Sequence, residues 1–333
     1  MTETLIEALP TAADVVAASE RLSGVVTHTP CFHSEALNAL TGKALWLKAE
    51  NLQRTGSFKF RGAYNRLVQL TPQERARGVI AWSSGNHAQG VAAAAKLLGI
   101  VAAVVMPEDA PALKRDNTLA LGAEVILYDR WHENREDIAR ARAAETGAII
   151  VPSYDDPHIV AGQGSVAYEL FQQCAAQGVE LDTLLVCCSG GGLVAGCALA
   201  AEVVSPTTQL YTVEPDGFDD HARSLASGRR EHNVAGATSI CDALLAPTPG
   251  ELTFAINQPR LTGGLVVTDD EVRTAIRVAS QELKLVLEPG GAVALAAALA
   301  GKLPANCQQV GVVLSGGNID PTLFAQILQG VND

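Results

Sequence analysis

The sequence predicts an α/β protein with roughly two domains. Its 333 residues suffice for this at about 150 residues per domain. Hydrophobic residues make up 48% of the chain and charged residues 18%, so it can bury a sizeable core. From about Val79 onward, short apolar runs rich in β-formers alternate with Ala-rich segments of helical length. This alternation is typical of parallel strands joined by crossover helices.

The first α/β unit lies before the middle of the chain. A strand at 78–82 ends at a polar turn, and the helix that follows at 88–98 is closed by Gly99. The remaining predicted elements of this unit are a strand at 100–106, a helix at 111–121, a strand at 123–128, a charged amphipathic helix at 135–145 and a strand at 148–151.

A second α/β series begins after residue 154. Its predicted elements are a helix at 161–177, a strand at 183–188, a helix at 193–204, a strand at 209–213, helices at 269–283 and 291–300, and a strand at 309–314. Two units of this kind that face each other would place their strand ends and Gly-rich turns around one cleft.

Charge and composition exclude several classes of partner. The formal net charge is -12, so the chain as a whole would repel nucleic acid and an anionic membrane. Its apolar runs are shorter than the roughly 20 residues that cross a bilayer, and the N-terminal segment lacks the apolar stretch of a signal peptide. Seven cysteines, an odd number without a C-x-x-C pair, indicate a reducing compartment. We therefore expect a cytoplasmic protein that acts on a small molecule.

The first candidate site is Ser189-Gly-Gly-Gly-Leu193, between a predicted strand and an Ala-rich helix. Residues without side chains let the backbone close tightly on a ligand, and successive N–H groups at a helix start bind anions. The segment suits a phosphate, although no Lys-Ser or Lys-Thr pair follows it as in a P-loop. Two alternatives stay open. One is a simple turn, and the other is a dinucleotide fingerprint formed by Gly190, Gly192 and Ala195, with Glu214 ending the next strand.

The second candidate is Lys59, within Thr55-Gly-Ser-Phe-Lys-Phe-Arg-Gly62. It lies between Phe58 and Phe60, where a surface lysine would normally have polar neighbours. A desolvated ammonium has a lowered pKa and can attack an aldehyde, as a Schiff-base lysine must. The alternative is an amphipathic helix start with Lys59 in solvent.

Two further polar turns follow predicted strands, at Ser83-Ser-Gly-Asn-His87 and Ser315-Gly-Gly-Asn318. The first also starts a helix, a location suited to a carboxylate or an oxyanion. Each segment could be only a turn, and His87 alone is more often a packing residue. Together with the phosphate cup and Lys59, however, these turns indicate a pyridoxal phosphate site.

Five motifs carry a family resemblance. They are Thr55-Gly-Ser-Phe-Lys-Phe-Arg-Gly-Ala63, Ser83-Ser-Gly-Asn-His87, Ser189-Gly-Gly-Gly-Leu193, Glu288-Pro-Gly-Gly-Ala292 and Ser315-Gly-Gly-Asn318. In order and spacing they resemble the serine/threonine dehydratases, fold-type II pyridoxal phosphate enzymes that include serine racemase. The resemblance extends from about Thr29 to Asp320. Five motifs in family order are far more specific than any one of them, and they weaken the dinucleotide interpretation.

The resemblance implies a fold and a domain arrangement. We expect two open twisted α/β domains of the tryptophan synthase β-like class, with the cofactor in the cleft between them. The large cofactor-binding domain would be discontinuous, at 1–77 and 156–333, and the small domain would span 78–155. A homodimer is also implied.

The resemblance further implies a role for each matched residue. Lys59 would bind the cofactor as a Schiff base, and Ser84 would lie on the opposite face of the cofactor, where it either exchanges a proton or only contacts the substrate carboxylate. The implied cofactor-binding residues are Lys59, Phe58, Ser189, Gly190, Gly191, Gly192, Leu193, Glu288, Asn86 on the ring hydroxyl and Ser315 on the pyridine nitrogen. The implied substrate-binding residues are Ser83, Ser84, Gly85, Asn86 and His87.

The acidic segment Glu214-Pro-Asp-Gly-Phe-Asp-Asp220 is a candidate metal loop. Oxygen ligands on one loop suit Mg²⁺ or Ca²⁺. In the metal-dependent branch of the family, the matching ligands are the carboxylates of Glu214 and Asp220 and the main-chain carbonyl of Phe218. Other members have a small residue where this chain has Phe218. A solvated acidic loop is the alternative.

The expected activity is dehydration of L-threonine or L-serine to a 2-oxo acid and ammonia. A hydroxyl at Ser315 cannot hold the pyridine nitrogen protonated as an Asp would, which favours elimination over transamination. The alternatives are a serine or aspartate racemase, a dehydratase of another 3-hydroxy amino acid such as 3-hydroxyaspartate or phenylserine, and a dinucleotide-dependent oxidoreductase. Arg135 belongs to a helix that is charged throughout, so we expect it to face solvent.

Overall fold

The computed structural model describes residues 9–83, 85–110 and 112–330. In chain order, its helices are α1 (Ala12–Leu22), α2 (Glu35–Thr41), α3 (Lys59–Val68), α4 (Pro72–Arg77), α5 (Asn86–Leu98), α6 (Ala112–Ala120), α7 (Arg135–Thr146), α8 (Pro157–Ala175), α9 (Gly192–Val204), α10 (Asp220–Ser227), α11 (Glu251–Asn257), α12 (Asp269–Val278), α13 (Pro289–Leu299) and α14 (Pro321–Gln329). Its strands are β1 (Cys31–His33), β2 (Ala44–Ala49), β3 (Val79–Trp82), β4 (Ala102–Pro107), β5 (Glu124–Tyr128), β6 (Ile149–Ile150), β7 (Thr183–Cys187), β8 (Gln209–Pro215), β9 (Gly263–Val267) and β10 (Gln309–Leu314).

The strands form two sheets, which confirms the predicted α/β class. The larger sheet has six strands in the order β1-β2-β10-β7-β8-β9, and the smaller has four in the order β5-β4-β3-β6. Every pairing is parallel except that of β1 with β2. Parallel strands end at the same edge of a sheet, so the polar turns that follow them are brought close together.

The two sheets take their strands from different parts of the chain. All strands of the smaller sheet lie between Val79 and Ile150, whereas the larger sheet combines β1 and β2 with β7 to β10. The domain boundaries at 77/78 and 155/156 remain a prediction, and they separate the strands of the two sheets.

Helices cover both faces of each sheet. Consecutive residues of a strand point to opposite faces, and Leu184, Leu185 and Val186 of β7 are all fully buried. In the smaller sheet, Val104 and Val105 of β4 are likewise fully buried. No helix among the described residues is both long and apolar enough to cross a bilayer.

Several elements differ from the sequence-based prediction. The predicted helix at 269–283 ends as an α-helix at Val278, continues as a π turn to Leu283, and closes at Lys284 with a φ of 58°. Strand β9 was not predicted, because it opens with two glycines and has no clear apolar alternation. It pairs with β8 from Tyr211↔Gly263 to Pro215↔Val267 at the edge of the sheet.

Four buried charges of alternating sign join β2 and the turn that follows it to α3 and α8, and we call them the charge quartet: Glu50, Arg61, Glu169 and Lys48. Arg61 donates from Nε and Nη2 to both Glu50 carboxylate oxygens at 2.8 and 2.7 Å, and from Nη1 to Glu169 Oε2 at 3.0 Å. Lys48 Nζ donates to Glu169 Oε1 at 2.5 Å and to the Thr29 carbonyl at 2.7 Å. Burial alone would raise the pKa of Glu169, but the charges of Arg61 and Lys48 bring it below its usual value.

Replacing Arg61 by Met should strongly destabilise the protein. The substitution keeps a long apolar side chain but leaves the Glu50 carboxylate buried and Glu169 with one cation fewer. Removing one partner of a buried ion pair costs about 3–5 kcal/mol of the free energy of unfolding. Urea unfolding followed by circular dichroism measures this loss.

The matched control for that experiment is Arg140→Met. Arg140 forms an exposed ion pair with Glu136 one turn earlier on α7. Such surface pairs contribute about 0.3–0.5 kcal/mol. Equal losses in the two variants would contradict a special role for the charge quartet.

Candidate active site

One cleft collects the predicted cofactor and substrate residues that the structure describes. It opens at the carboxyl ends of β3, β7 and β10 and at the N-termini of α3, α5, α9 and α13. The predicted residues that line it are Phe58, Lys59, Ser83, Gly85, Asn86, His87, Ser189, Gly190, Gly191, Gly192, Leu193, Glu288 and Ser315. Ser84 lies outside the described residues, so its predicted role stays a prediction.

Lys59 begins α3 and reaches into this cleft. Its Nζ donates a hydrogen bond to the Ser153 carbonyl at 2.8 Å and lies 5.2 Å from the centroid of the Phe58 ring. Burial lowers the pKa of Lys59 to about 8, although the nearby Cys187 and Glu288 act in the opposite direction. The alternative of a fully solvated lysine is therefore wrong, and Lys59 is partly deprotonated near neutral pH.

Helix α5 packs tightly against the start of α3. A Cβ atom built on Gly90 of α5 would approach the Lys59 carbonyl carbon to 3.1 Å and the Phe60 nitrogen to 3.2 Å. Glycine at this position therefore lets the two helices approach closely. The contact fixes the backbone of Lys59 relative to the polar turn that precedes α5.

The segment 189–193 forms an anion cup at the start of α9. The N–H groups of Gly190, Gly191, Gly192 and Leu193 donate no hydrogen bond within the described residues. Gly191 has a φ of 93°, a conformation that favours glycine. A Cβ on Gly190 would lie 2.5 Å from the Tyr154 ring, so larger residues would not fit there.

Side chains of α11 donate hydrogen bonds to the carbonyl groups of the anion cup. Thr253 Oγ1 donates to the Gly190 carbonyl at 2.6 Å, and Asn257 Nδ2 donates to the Gly191 carbonyl at 3.3 Å. The Ser189 hydroxyl accepts from the Ala246 N–H at 3.0 Å. The carbonyls are thus occupied while the N–H groups stay available, which is the arrangement an anion such as phosphate requires.

Ser315 lies at the end of β10 with its hydroxyl beside Cys187. The Cys187 thiol donates to Ser315 Oγ at 3.1 Å. Burial raises the pKa of Cys187 to about 11, so this thiol stays protonated. The Ser315 hydroxyl proton therefore remains free to point elsewhere in the cleft.

Asn86, Glu288 and Asn318 form a hydrogen-bonded chain across the cleft. Asn86 Nδ2 donates to Glu288 Oε1 at 2.5 Å, and Asn318 Nδ2 donates to Asn86 Oδ1 at 2.7 Å. The second Glu288 oxygen has no hydrogen-bond partner among the described residues. Burial raises the pKa of Glu288 to about 7, whereas the charge of Lys114 acts to lower it.

His87 is held as a neutral side chain. Its Nε2 donates to the Val151 carbonyl at 2.9 Å, and burial together with the Lys59 charge lowers the pKa of His87 to about 3. Nδ1 has no partner among the described residues. His87 thus lies in the wall of the cleft without a positive charge to offer a carboxylate.

Sequence reasoning missed several residues of the cleft wall. We expected Arg135 to face solvent, and its side chain is indeed exposed. It also lines the cleft, because α7 begins with Arg135 at the rim of the cleft. Tyr154 follows β6 closely, so its place after a strand end could have revealed it. Lys114 of α6 pairs with Asp242 at 2.5 Å, and no local pattern predicts this contact between distant segments.

The predicted metal ligands cluster at the start of α10. The Glu214 carboxylate is fully buried and accepts the N–H groups of His221 at 2.9 Å and Ala222 at 2.7 Å. Both oxygens of buried Asp220 lack hydrogen-bond partners among the described residues, and burial raises the pKa of Asp220 to about 7. The alternative of a solvated acidic loop is therefore wrong for these two carboxyls. Phe218 is also buried.

The described residues contain no group of three or more His, Cys, Asp or Glu side chains arranged to hold a metal. The predicted ligands of the acidic loop are a different set, two carboxylates and one main-chain carbonyl. Unpaired buried carboxylate oxygens are the donor type that Mg²⁺ and Ca²⁺ prefer. The loop thus fits such an ion by its chemistry.

The sequence and the fold of the chain are both similar to those of known pyridoxal-phosphate dependent enzymes. A family model described as "Pyridoxal-phosphate dependent enzyme" matches residues 22–316. The L-threo-3-hydroxyaspartate ammonia-lyases of Pseudomonas sp and Saccharomyces cerevisiae are 44% and 42% identical to the chain, over 95% and 98% of its length and 98% of theirs. The serine racemase of Schizosaccharomyces pombe is 40% identical, over 96% of this chain and 98% of its own. A crystal structure of the T.th. threonine deaminase superposes with a TM-score of 0.87 at 43% identity, covering 93% of this chain and 99% of that one.

The lowered pKa of Lys59 predicts how the protein without cofactor should react with pyridoxal phosphate. Only the neutral amine attacks an aldehyde, so the rate should rise with pH and level off above about pH 8. Stopped-flow absorbance in the visible region measures the rate. The Lys59→Ala variant, as the control, should show no absorbance change. A rate that keeps rising to about pH 10, the range of an ordinary lysine, would contradict the assignment.

Proposed function

The chain belongs to the family of pyridoxal-phosphate dependent enzymes, and we propose that it is an ammonia-lyase acting on L-3-hydroxy amino acids. The β-hydroxyl is eliminated as water, and hydrolysis of the resulting enamine gives a 2-oxo acid and ammonia. The observation that carries the proposal is that a lysine amine of lowered pKa and an anion cup of free N–H groups line the same cleft.

The residues present fit pyridoxal phosphate. In the proposal Lys59 Nζ holds it covalently, and the N–H groups of 190–193 hold its phosphate. Asn86 and Ser315 hold the ring hydroxyl and the ring nitrogen. When bound, the cofactor supplies an electron sink for negative charge at the substrate Cα.

Lys59 is the proposed base. A pKa of about 8 leaves an appreciable fraction of neutral amine near neutral pH, and Nζ can then accept the proton from the substrate Cα. The Ser153 carbonyl, which accepts a hydrogen bond from Nζ, orients the amine. The same carbonyl stabilises Nζ once it carries the proton.

Ser315 decides between elimination and competing reactions. Its hydroxyl is an uncharged partner, so it does not hold the ring nitrogen in the protonated form as a carboxylate would. Negative charge at Cα is then best relieved by expulsion of the β-hydroxyl, which takes up a proton and leaves as water. This argument favours a lyase over a transaminase.

We propose L-threo-3-hydroxyaspartate as the substrate. Arg135 lines the cleft and forms no ion pair with any described residue, whereas Lys114 is already paired with Asp242. A guanidinium binds a carboxylate through two parallel hydrogen bonds, so Arg135 suits the side-chain carboxylate of this substrate. The ammonia-lyases of Pseudomonas sp and Saccharomyces cerevisiae act on this compound by name.

L-threonine and L-serine are the second candidate substrates. The cleft wall also includes Ala243, Leu244, Leu245 and Ala246, an apolar stretch that would accept the methyl group of threonine. The T.th. threonine deaminase supports this candidate by its similarity.

The substrate proposal is tested with Arg135→Ala and a panel of L- and D-3-hydroxy amino acids. Loss of one charged contact should lower kcat/KM for L-threo-3-hydroxyaspartate by about 10- to 100-fold, roughly 1.5–3 kcal/mol, while activity on L-threonine and L-serine changes little. Release of 2-oxo acid is measured, and chiral chromatography detects a racemised product.

Arg140→Ala is the matched control, because Arg140 lies on the same helix and pairs with Glu136 on the surface. Equal loss on all substrates in Arg135→Ala would contradict the specific contact. A racemised product with no 2-oxo acid would instead favour a racemase.

We also propose that the acidic loop binds Mg²⁺ or Ca²⁺ through the Glu214 and Asp220 carboxylates and the Phe218 carbonyl. The unpaired, buried oxygens of Asp220 support this proposal. The ion would neutralise two carboxylates that are otherwise buried close together, and so stabilise the start of α10.

Chelation should therefore lower the melting temperature, and Mg²⁺ or Ca²⁺ should restore it. An ion at about 100 times its Kd contributes about 2.7 kcal/mol to stability, which is several degrees. Asp220→Asn should abolish the response, and Asp216→Asn, an exposed residue of the same loop, should keep it. A wild-type melting temperature that neither chelator nor ion changes would exclude the site.

Two further properties remain proposals. The seven cysteines are all free, which supports a cytoplasmic location. The resemblance to the dehydratase family supports a homodimer.

A further inference from the structure

Two cysteines far apart in sequence meet at the edge of the larger sheet. Cys31 is the first residue of β1, and Cys174 lies in the last turn of α8, roughly 140 residues later. Neither lines the cleft, and the proposed reaction uses neither. Both belong to, or pack against, the main hydrophobic core.

The register of the sheet explains why they meet. Cys31 is paired with Lys48 across β1 and β2, and such cross-strand partners point to the same face. Lys48 Nζ bonds to Glu169 at 2.5 Å and to Gln173 Oε1 at 2.9 Å, both on α8. Cys174 follows Gln173 in a helix that contacts β1, and its thiol is close enough to that of Cys31 for the two to interact.

A second contact holds this turn of α8 against the strand. Gln173 Nε2 donates to the Thr29 carbonyl at 2.9 Å, and Lys48 Nζ donates to the same carbonyl at 2.7 Å. Thr29 lies two residues before Cys31. These two hydrogen bonds fix the backbone beside each of the two cysteines.

The two thiols differ in exposure and acidity. Cys31 is partly exposed, whereas the other six cysteines, Cys174 included, are buried. The hydrogen bond from Cys174, with a smaller contribution from the Lys48 charge, lowers the pKa of Cys31, while that of Cys174 is raised. Cys187, the cysteine nearest Lys59, has a pKa raised to about 11 and is a poor nucleophile.

We propose that Cys31 and Cys174 form a reversible disulfide in response to a peroxide. The Cys31 thiolate attacks hydrogen peroxide, the O–O bond breaks, and Cys31 becomes a sulfenic acid while the other oxygen leaves as water. The Cys174 sulfur then attacks the Cys31 sulfur, and the sulfenic oxygen leaves with the Cys174 proton as a second water molecule. The two thiols together lose two electrons to the peroxide, and a dithiol reductant reduces the disulfide back to two thiols.

The disulfide would join the edge strand to the helix that carries Glu169 of the charge quartet. A cross-link that closes so long a loop restricts the unfolded chain and raises the melting temperature. The oxidised protein is thus expected to be the more heat-stable form. The cleft is not directly blocked by the bond.

The test is to treat the 333-residue protein with a small excess of hydrogen peroxide, block the remaining thiols with N-ethylmaleimide, and map the digest by mass spectrometry. A peptide pair linked through Cys31 and Cys174 is expected, together with a loss of two of the seven titratable thiols. The melting temperature should rise by roughly 5 °C or more and return after dithiothreitol.

Variants separate the two steps. Cys174→Ala should accumulate a sulfenic acid at Cys31 that dimedone traps, and Cys31→Ser should lose no thiols. Cys307→Ser is the matched control, because Cys307 is a buried cysteine outside the pair whose hydrogen bond to the Pro304 carbonyl serine can keep. It should behave as wild type.

The mapping of the wild-type protein does not depend on any variant folding. A digest in which Cys174 stays alkylated while Cys31 is overoxidised would overturn the proposal, and so would a disulfide between two copies of the chain. Because the readout is thiol chemistry, it stands apart from the proposed lyase activity.

Discussion

The position of Lys59 depends on the charge quartet beneath it. Arg61 is two residues after Lys59, and its guanidinium binds Glu50 at the end of β2 and Glu169 on α8. Rotation of the first turn of α3 would separate these charges in a medium without water to replace them, at a cost of several kcal/mol. The reactive amine is therefore anchored through the backbone to β2 of the larger sheet and to α8, which fixes its position in the cleft.

A net charge of -12 is compatible with an anionic ligand because the cleft can bind an anion through backbone N–H groups and needs few cations. The free N–H groups of the anion cup and the start of α9 suit a phosphate without any lysine or arginine. Each cation that lines the cleft then has a distinct role. In the proposed function Lys59 is the base and Arg135 binds a substrate carboxylate, whereas Lys114 joins α6 to Asp242. A cleft lined with many cations would bind anions without distinguishing among them.

Local patterns in the sequence predicted most of the fold and of the site, for a physical reason. Parallel strands end at one edge, so the polar turns at Ser83, Ser189 and Ser315 could be placed together without coordinates. Arg135 and the Lys114–Asp242 pair could not be predicted, because they depend on how distant segments pack. The charge quartet could not be predicted for the same reason, since Glu169 lies more than 100 residues from its other members and only burial makes the four charges significant.

Glu214 shows how one residue can support two interpretations until its partners are known. Its position after β8 suits an acidic residue that binds the ribose of a dinucleotide. In the structure, its carboxylate instead accepts the His221 and Ala222 N–H groups at the start of α10 and is fully buried. Glu214 does not line the cleft, so its carboxylate is not placed to bind a ribose there. The dinucleotide alternative therefore fails on geometry as well as on family membership.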